Sequence, residues 1–75
     1  MTTLSTLSPG TEALLLEVGG SRPLQCRLME MGLLPGTRVQ LIRHNHVGGV
    51  LELKVRQSHL TLRLGEASLM TVTLA

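Results

Sequence analysis

A small, mainly β barrel of about five short strands, with one short helix between the first and second, is the fold class the sequence predicts. Three observations predict it. Two runs of strict apolar alternation stand four residues apart, Pro-Gly pairs precede two further strand-like runs, and a single segment with helical spacing ends at a glycine. Short strands separated by closing turns suit a barrel. The 75 residues hold one domain at most, and a chain this short buries only about 60–65% of the surface its unfolded form would expose.

Taken in order, Met1 to Ser8 is rich in Thr and Ser, with Leu4 and Leu7 as its apolar anchors, and reads as a frayed lead-in that leaves residues 9–75 as the folded domain. Pro9-Gly10 is a turn, because proline presets one central φ and glycine supplies the positive φ that follows it in a type II turn. Ala13 to Val18 follows as a strand, ended by Gly19-Gly20. Ser21 is placed to cap a helix, and Pro23 is tolerated in its first turn, where a missing N–H has no intrahelical partner anyway. Leu24, Leu28 and Met31 recur on one helical face, and Gly32 stands where a helix end wants positive φ. Pro35-Gly36-Thr37 then repeats the chemistry of Pro9-Gly10-Thr11, read as one turn used twice. In the strand Arg38 to Arg43, Val39 and Leu41 alternate with polar neighbours.

After the loop His44 to Gly49, Leu51 to Val55 and Leu60 to Leu64 alternate cleanly. A hairpin closing symmetrically over Gln57-Ser58 would set Val55 against Leu60, Leu53 against Leu62 and Leu51 against Leu64, with Glu52 opposite Arg63. An exposed pair of opposite charge adds roughly 0.2–1 kcal/mol, against about 1.5–3 kcal/mol for each buried aliphatic side chain, so packing sets the register. Gly65 to Ser68 has room for one helical turn, and Met70, Val72 and Leu74 mark the last strand.

The segment Arg27-Leu28-x-x-Met31-Gly32-Leu33-x-Pro35-Gly36-Thr37-x-Val39 resembles the signature of the FeoA family, small cytoplasmic components of bacterial ferrous-iron uptake. The likeness extends back to Leu7-Ser8-Pro9-Gly10 and forward through Gly48-Gly49, Leu60-Thr61-Leu62-Arg63, Glu66-Ala67 and Met70-x-Val72. It implies an SH3-like small β-barrel and a role beside the permease FeoB, whose cytoplasmic GTPase domain gates iron entry. Two departures fall in loops: Gly48-Gly49 replaces a frequent Gly-Asp/Asn-Pro turn, and Arg56-Gln57-Ser58-His59 stands where many members have a glycine.

Composition excludes some functions. With no Phe, Tyr or Trp, the chain has neither the aromatic groove with which SH3 domains hold polyproline nor a platform for stacking bases. A net charge of +2 is mild for a nucleic-acid domain, whose basic residues concentrate on one face. The single cysteine makes no internal disulfide, which fits a reducing compartment. No signal-like start and no apolar run long enough to span a bilayer is visible, so a cytoplasmic location without membrane insertion is expected.

Catalytic and cofactor chemistry finds no footing: there is no phosphate loop, and Ser58-His59 has no third residue to orient it. His44, His46, His59 and Cys26 are the residues of metal-ligating type, but a closed site wants four ligands and the local sequence does not supply them, so no metal site is expected. Lys54, Arg56 and Arg63 should share the outer face of the hairpin, near Arg38 and Arg43. Met29 projects away from the Leu24–Leu28–Met31 stripe, and Leu34 adds apolar surface at the rigid Pro-Gly turn. A partner-binding surface is therefore expected at Met29 and Leu34, with Glu30 and Arg38 on its rim. The expectation is a non-catalytic accessory of the FeoB permease. The alternatives are a metal-responsive module that binds a divalent cation, like the SH3-like appendages of iron-dependent repressors, and a minimal RNA- or DNA-binding barrel.

Overall fold

The computed structural model describes residues 1–45 and 47–75. Among the described residues six antiparallel strands form one sheet: β1 (Thr2–Thr3), β2 (Glu12–Val18), β3 (Arg38–Asn45), β4 (Val50–Val55), β5 (Ser58–Arg63) and β6 (Met70–Leu74), in the order β1-β6-β2-β3-β4-β5. Helix α1 (Arg22–Glu30) joins β2 to β3, and the single turn α2 (Leu64–Ala67) joins β5 to β6. The molecule measures 27 × 26 × 24 Å, whereas packed sheet layers lie only about 10 Å apart. The sheet therefore coils around a core of leucines, with Val39, Val55, Val72, Met70, Ala13 and Ala67 filling the spaces between them. This is the expected SH3-like barrel with its helix after the first long strand.

β2 and β3 organise it. Their ladder pairs Glu12 with Gln40, Ala13 with Val39 and Leu14 with Arg38. Beyond each end the two Pro-Gly-Thr turns continue the pairing reciprocally. The Gly10 N–H donates to the Leu41 carbonyl (2.6 Å) and the Leu41 N–H to the Thr11 carbonyl (3.0 Å). At the other end the Gly36 N–H donates to the Leu15 carbonyl (2.7 Å) and the Leu15 N–H to the Thr37 carbonyl (2.9 Å). One offset along the chain maps each bond of one end onto its counterpart, so a local two-fold axis passes through the Ala13–Val39 pair. Both turns are closed by the bond expected of them, Thr11 N–H to the Ser8 carbonyl (3.1 Å) and Thr37 N–H to the Leu34 carbonyl (3.0 Å). Gly10 and Gly36 take φ +89° and +92°, as a type II turn requires. Both strands then bulge at equivalent residues, Leu16 and Ile42, in their ladders with β6 and β4, just past the end of the ladder they share; bulges bend and twist a strand in the sense that closes a barrel.

Helix α1 ends as its glycine predicts, one residue earlier than the apolar stripe suggests. The Gly32 N–H donates to the Met29 carbonyl and the Leu33 N–H to the Leu28 carbonyl, both at 3.0 Å, the paired bonds of a Schellman motif. Leu28 and Leu33 are both fully buried. Met31, read as the third stripe residue, is instead the C-cap and stays 40% exposed, because the chain turns there and hands the inward position to Leu33. Ser21 caps the other end, its hydroxyl accepting from the Leu24 N–H.

Two further expectations are corrected. The hairpin closes two residues tighter than the symmetric reading: Val55 pairs with Ser58, Leu53 with Leu60 and Leu51 with Leu62, leaving Arg56-Gln57 as a two-residue loop. A slip of two preserves each side chain's face, so Leu51, Leu53, Val55, Leu60 and Leu62 remain buried. Leu64, however, leaves the strand to begin α2 and is 39% exposed. Glu52 faces Thr61 rather than Arg63. The tighter turn is favoured because two-residue loops match the twist of paired strands.

The residues read as a frayed lead-in are structured. Thr2 and Thr3 pair with Val72 and Thr71, a 3-10 turn covers Leu4–Thr6, and Leu4 and Leu7 belong to the core. The two leucines occupy core volume that the short strands alone would leave unfilled, so the folded unit begins at the first strand rather than at residue 9.

Leu53→Ala and Leu62→Ala should each lower stability by about 2–4 kcal/mol and Thr61→Ala by less than about 1 kcal/mol in urea melts; equal losses would contradict this packing. An added Cβ at Gly36 meets nothing within 4 Å. Gly36→Ala should therefore show a purely conformational loss of about 1 kcal/mol or more, read as a lower urea midpoint at unchanged m.

Candidate functional site

The four residues expected to meet a partner lie on the continuous segment from the end of α1 to the start of β3. Met29 (41% exposed) and Leu34 (38% exposed) are half-open apolar side chains, joined by Met31 at the cap. The backbone holding them is determined: the Schellman bonds fix the helix end, the Leu34 N–H donates to the Gly32 carbonyl (3.0 Å), and the Leu34–Thr37 turn is anchored on Leu15. Glu30 and Arg38 are exposed at the two ends of this segment. At Gly32 a Cβ would lie 3.8 Å from the Val55 side chain, which places the helix end beside the tip of the β4–β5 hairpin.

Arg38 also belongs to a second grouping. It lines a shallow depression of about 240 Å³ with Glu12, Val39, Gln40, Lys54 and Arg56. The sheet explains it: Gln40 pairs with Lys54 across β3 and β4, and Glu12 with Gln40 across β2 and β3. Arg38 and Arg56 flank the adjoining Val39–Val55 pair. Arg56 is the only described non-glycine residue with positive φ (+59°), the first central position of a turn in which glycine is usual. Holding a side chain there costs about 1 kcal/mol.

Arg43 and Arg63 share this outer face of the sheet, as expected, but lie farther along it, away from the depression. Arg43 lies 4.0 Å from the Glu52 carboxylate. Arg63 stands at the far end of the hairpin, opposite Val50, beside a polar cleft of about 390 Å³ that also takes in Arg27 and Glu66. There the Glu66 carboxylate accepts from the Arg63 backbone N–H (3.1 Å) and from the Arg27 guanidinium, joining α1 to α2. These are the two ion pairs among the described residues; Arg22 and Arg63 have none, nor do Arg38, Lys54 and Arg56, which alone of the unpaired cations share one depression. Sequence alternation placed Lys54 and Arg56 together, but the convergence with Arg38 depends on the pairing of β3 with β4.

The candidate metal ligands do not come together. Among the described residues no group of three or more His, Cys, Asp or Glu is placed to hold an ion. His44 pairs with the buried Leu51, and His59 with the exposed Lys54, so they lie on opposite faces of the sheet. Cys26 is exposed on α1, and His46 lies outside the described residues. Ser58 and His59, being consecutive in β5, also point to opposite faces. No described helix is long and apolar enough to cross a membrane.

Comparison with known proteins gives the family. The FeoA domain model matches residues 2–74, nearly the whole chain and including the strand and 3-10 turn before residue 9. The solution structure of FeoA protein from Chlorobium tepidum shares 30% identity at a TM-score of 0.92, over 97% of this chain and 70% of that one. That of iron(II) transport protein A from Clostridium thermocellum shares 30% identity at 0.91, over 99% of this chain and 46% of that one. A manganese-dependent transcriptional repressor shares the fold at a TM-score of 0.92 but only 10% identity, and this chain spans 36% of its length. No curated protein matches. With its barrel, its helix-to-turn signature and a family match over nearly all of its residues, the chain belongs to the FeoA family.

Proposed function

We propose that this protein is a non-catalytic accessory of bacterial ferrous-iron uptake that acts in the cytoplasm by docking on the FeoB permease, through the surface formed by Met29 and Leu34 with Glu30 and Arg38 at its rim. Family membership supports the iron pathway. The observation that carries the docking surface is the half-exposed apolar segment at the end of α1, held by Schellman and type II turn bonds on a backbone that has little freedom left. Unbranched Met29 and Met31 adapt to a partner's contour, while Leu34 is presented by a rigid turn, the pairing of adaptable and fixed contacts that concentrates binding energy.

A second reading, a module that itself binds a divalent cation, takes support from the fold shared with the manganese-dependent repressor. The separation of His44 from His59 favours the docking reading.

Met29→Glu and Leu34→Glu should each weaken binding to the permease's cytoplasmic domain by about tenfold or more, with the thermal midpoint nearly unchanged. Folded variants that bind as well as the parent would contradict this interface. Anaerobic calorimetry with Fe(II) at pH 7 should show no stoichiometric site of micromolar or tighter affinity. Such a site, abolished by His44→Ala or His46→Ala, would establish the cation-binding reading.

A further inference from the structure

Arg38, Lys54 and Arg56 line one depression of about 240 Å³ and have no ion-pair partner among the described residues, whereas Arg27 and Arg43 are each matched with a glutamate. The one acid lining the depression, Glu12, sits diagonally across the β2–β3 ladder from Arg38 without forming an ion pair with it, and the intervening Gln40 strand separates it from Lys54 by roughly 10 Å at the usual strand spacing. Three unmatched cations so placed repel one another in the folded chain and raise a positive local potential. Arg56 adds a second observation. It occupies a left-handed position, φ +59°, that glycine would fill without strain. The fold therefore bears conformational strain to keep a guanidinium at the hairpin tip, beside the end of α1 that Gly32 brings against Val55.

We infer that Arg38, Lys54 and Arg56 form a docking subsite for an acidic peptide segment of a protein partner. The ligand chemistry follows from the donors: two guanidiniums and an ammonium bind carboxylates by charge-assisted hydrogen bonds, the guanidiniums in bidentate fashion. The apolar side chains of Met29, Met31 and Leu34 on the adjoining segment suit a partner whose acidic residues are interleaved with apolar ones. A nucleic acid fits less well, because the chain has no aromatic residue on which a base could stack. The inference rests on the docking reading above for its partner being a protein, but the subsite itself can be tested without the permease.

The test is fluorescence anisotropy with a fluorescein-labelled peptide of alternating glutamate and leucine, its glutamine counterpart, and a single-stranded DNA oligonucleotide, at low and moderate salt. The glutamate peptide should bind, more weakly as salt rises. The combined variant R38Q/K54Q/R56G should weaken it by about tenfold or more and Arg63→Gln by no more than about twofold. Arg56→Gly alone should weaken binding while raising the thermal midpoint, a pairing that a merely structural arginine would not produce. Equal binding of the glutamine peptide, tighter binding of the oligonucleotide, undiminished binding by the combined variant, or no binding at low salt would each overturn the subsite. If the permease's cytoplasmic domain is sensitive to Met29→Glu but indifferent to the combined variant, the subsite falls and the docking reading stands. If the peptide responds as expected and the permease domain does not bind at all, the subsite stands and the choice of partner falls.

Discussion

The reciprocal closure of the β2–β3 ladder by the two Pro-Gly-Thr turns is the constraint on which the rest of the structure depends. In a small chain whose core is aliphatic throughout, packing chooses the buried face and turn geometry fixes the register of the paired strands. Each turn ends one strand's free run and supplies its neighbour with another rung, Gly10 and Thr11 to Leu41, Gly36 and Thr37 to Leu15. With Ala13 and Val39 locked opposite each other, the bulges at Leu16 and Ile42 fall at equivalent distances from the centre. The strands then diverge to β6 on one side and to β4 on the other.

The candidate site is a consequence of that arrangement. The turn that closes one end of the ladder also follows α1, so anchoring Gly36 on Leu15 positions the helix end, and with it Met29, Met31 and Leu34. The same ladder brings Arg38 to the first rung of β3, where the next strand delivers Lys54 and the hairpin tip delivers Arg56. Apolar and cationic side chains thus meet around one corner of the barrel through backbone pairing. The Arg27–Glu66 pair joins the two helices at another place, but its Arg27 end is largely exposed, and such pairs contribute little to stability.

Much of this was legible in the sequence where local chemistry decides. Gly32 announced the helix end, Pro9-Gly10 and Pro35-Gly36 announced their turns, and the alternation of Leu51 to Leu62 announced which face is buried. The hairpin register was not legible, because Arg56 is not a residue type that signals a left-handed turn position, and a two-residue slip leaves the pattern of faces unchanged. The first eight residues misled for a different reason: β1 is two threonines held by backbone pairing, and Leu4 and Leu7 alone form no periodic pattern, although both are core residues. Met29, Leu34 and Arg38 could be singled out from their spacing and turn chemistry. The grouping of Arg38 with Lys54 and Arg56 was legible only on the condition that β3 pairs with the hairpin, and the ladder meets that condition by setting Gln40 against Lys54 and Val39 against Val55.

Amide hydrogen exchange at Gly10 and Gly36, residue by residue, tests the reciprocal closure most directly. Turn amides normally exchange through local opening, well ahead of strand amides. Here both should fall in the slowest class together with Leu15 and Leu41, and all four should slow or quicken in step with global stability as denaturant is varied. Exchange of Gly10 or Gly36 at the rate of exposed loop amides, independent of global unfolding, would contradict the claim that these turns lock the barrel.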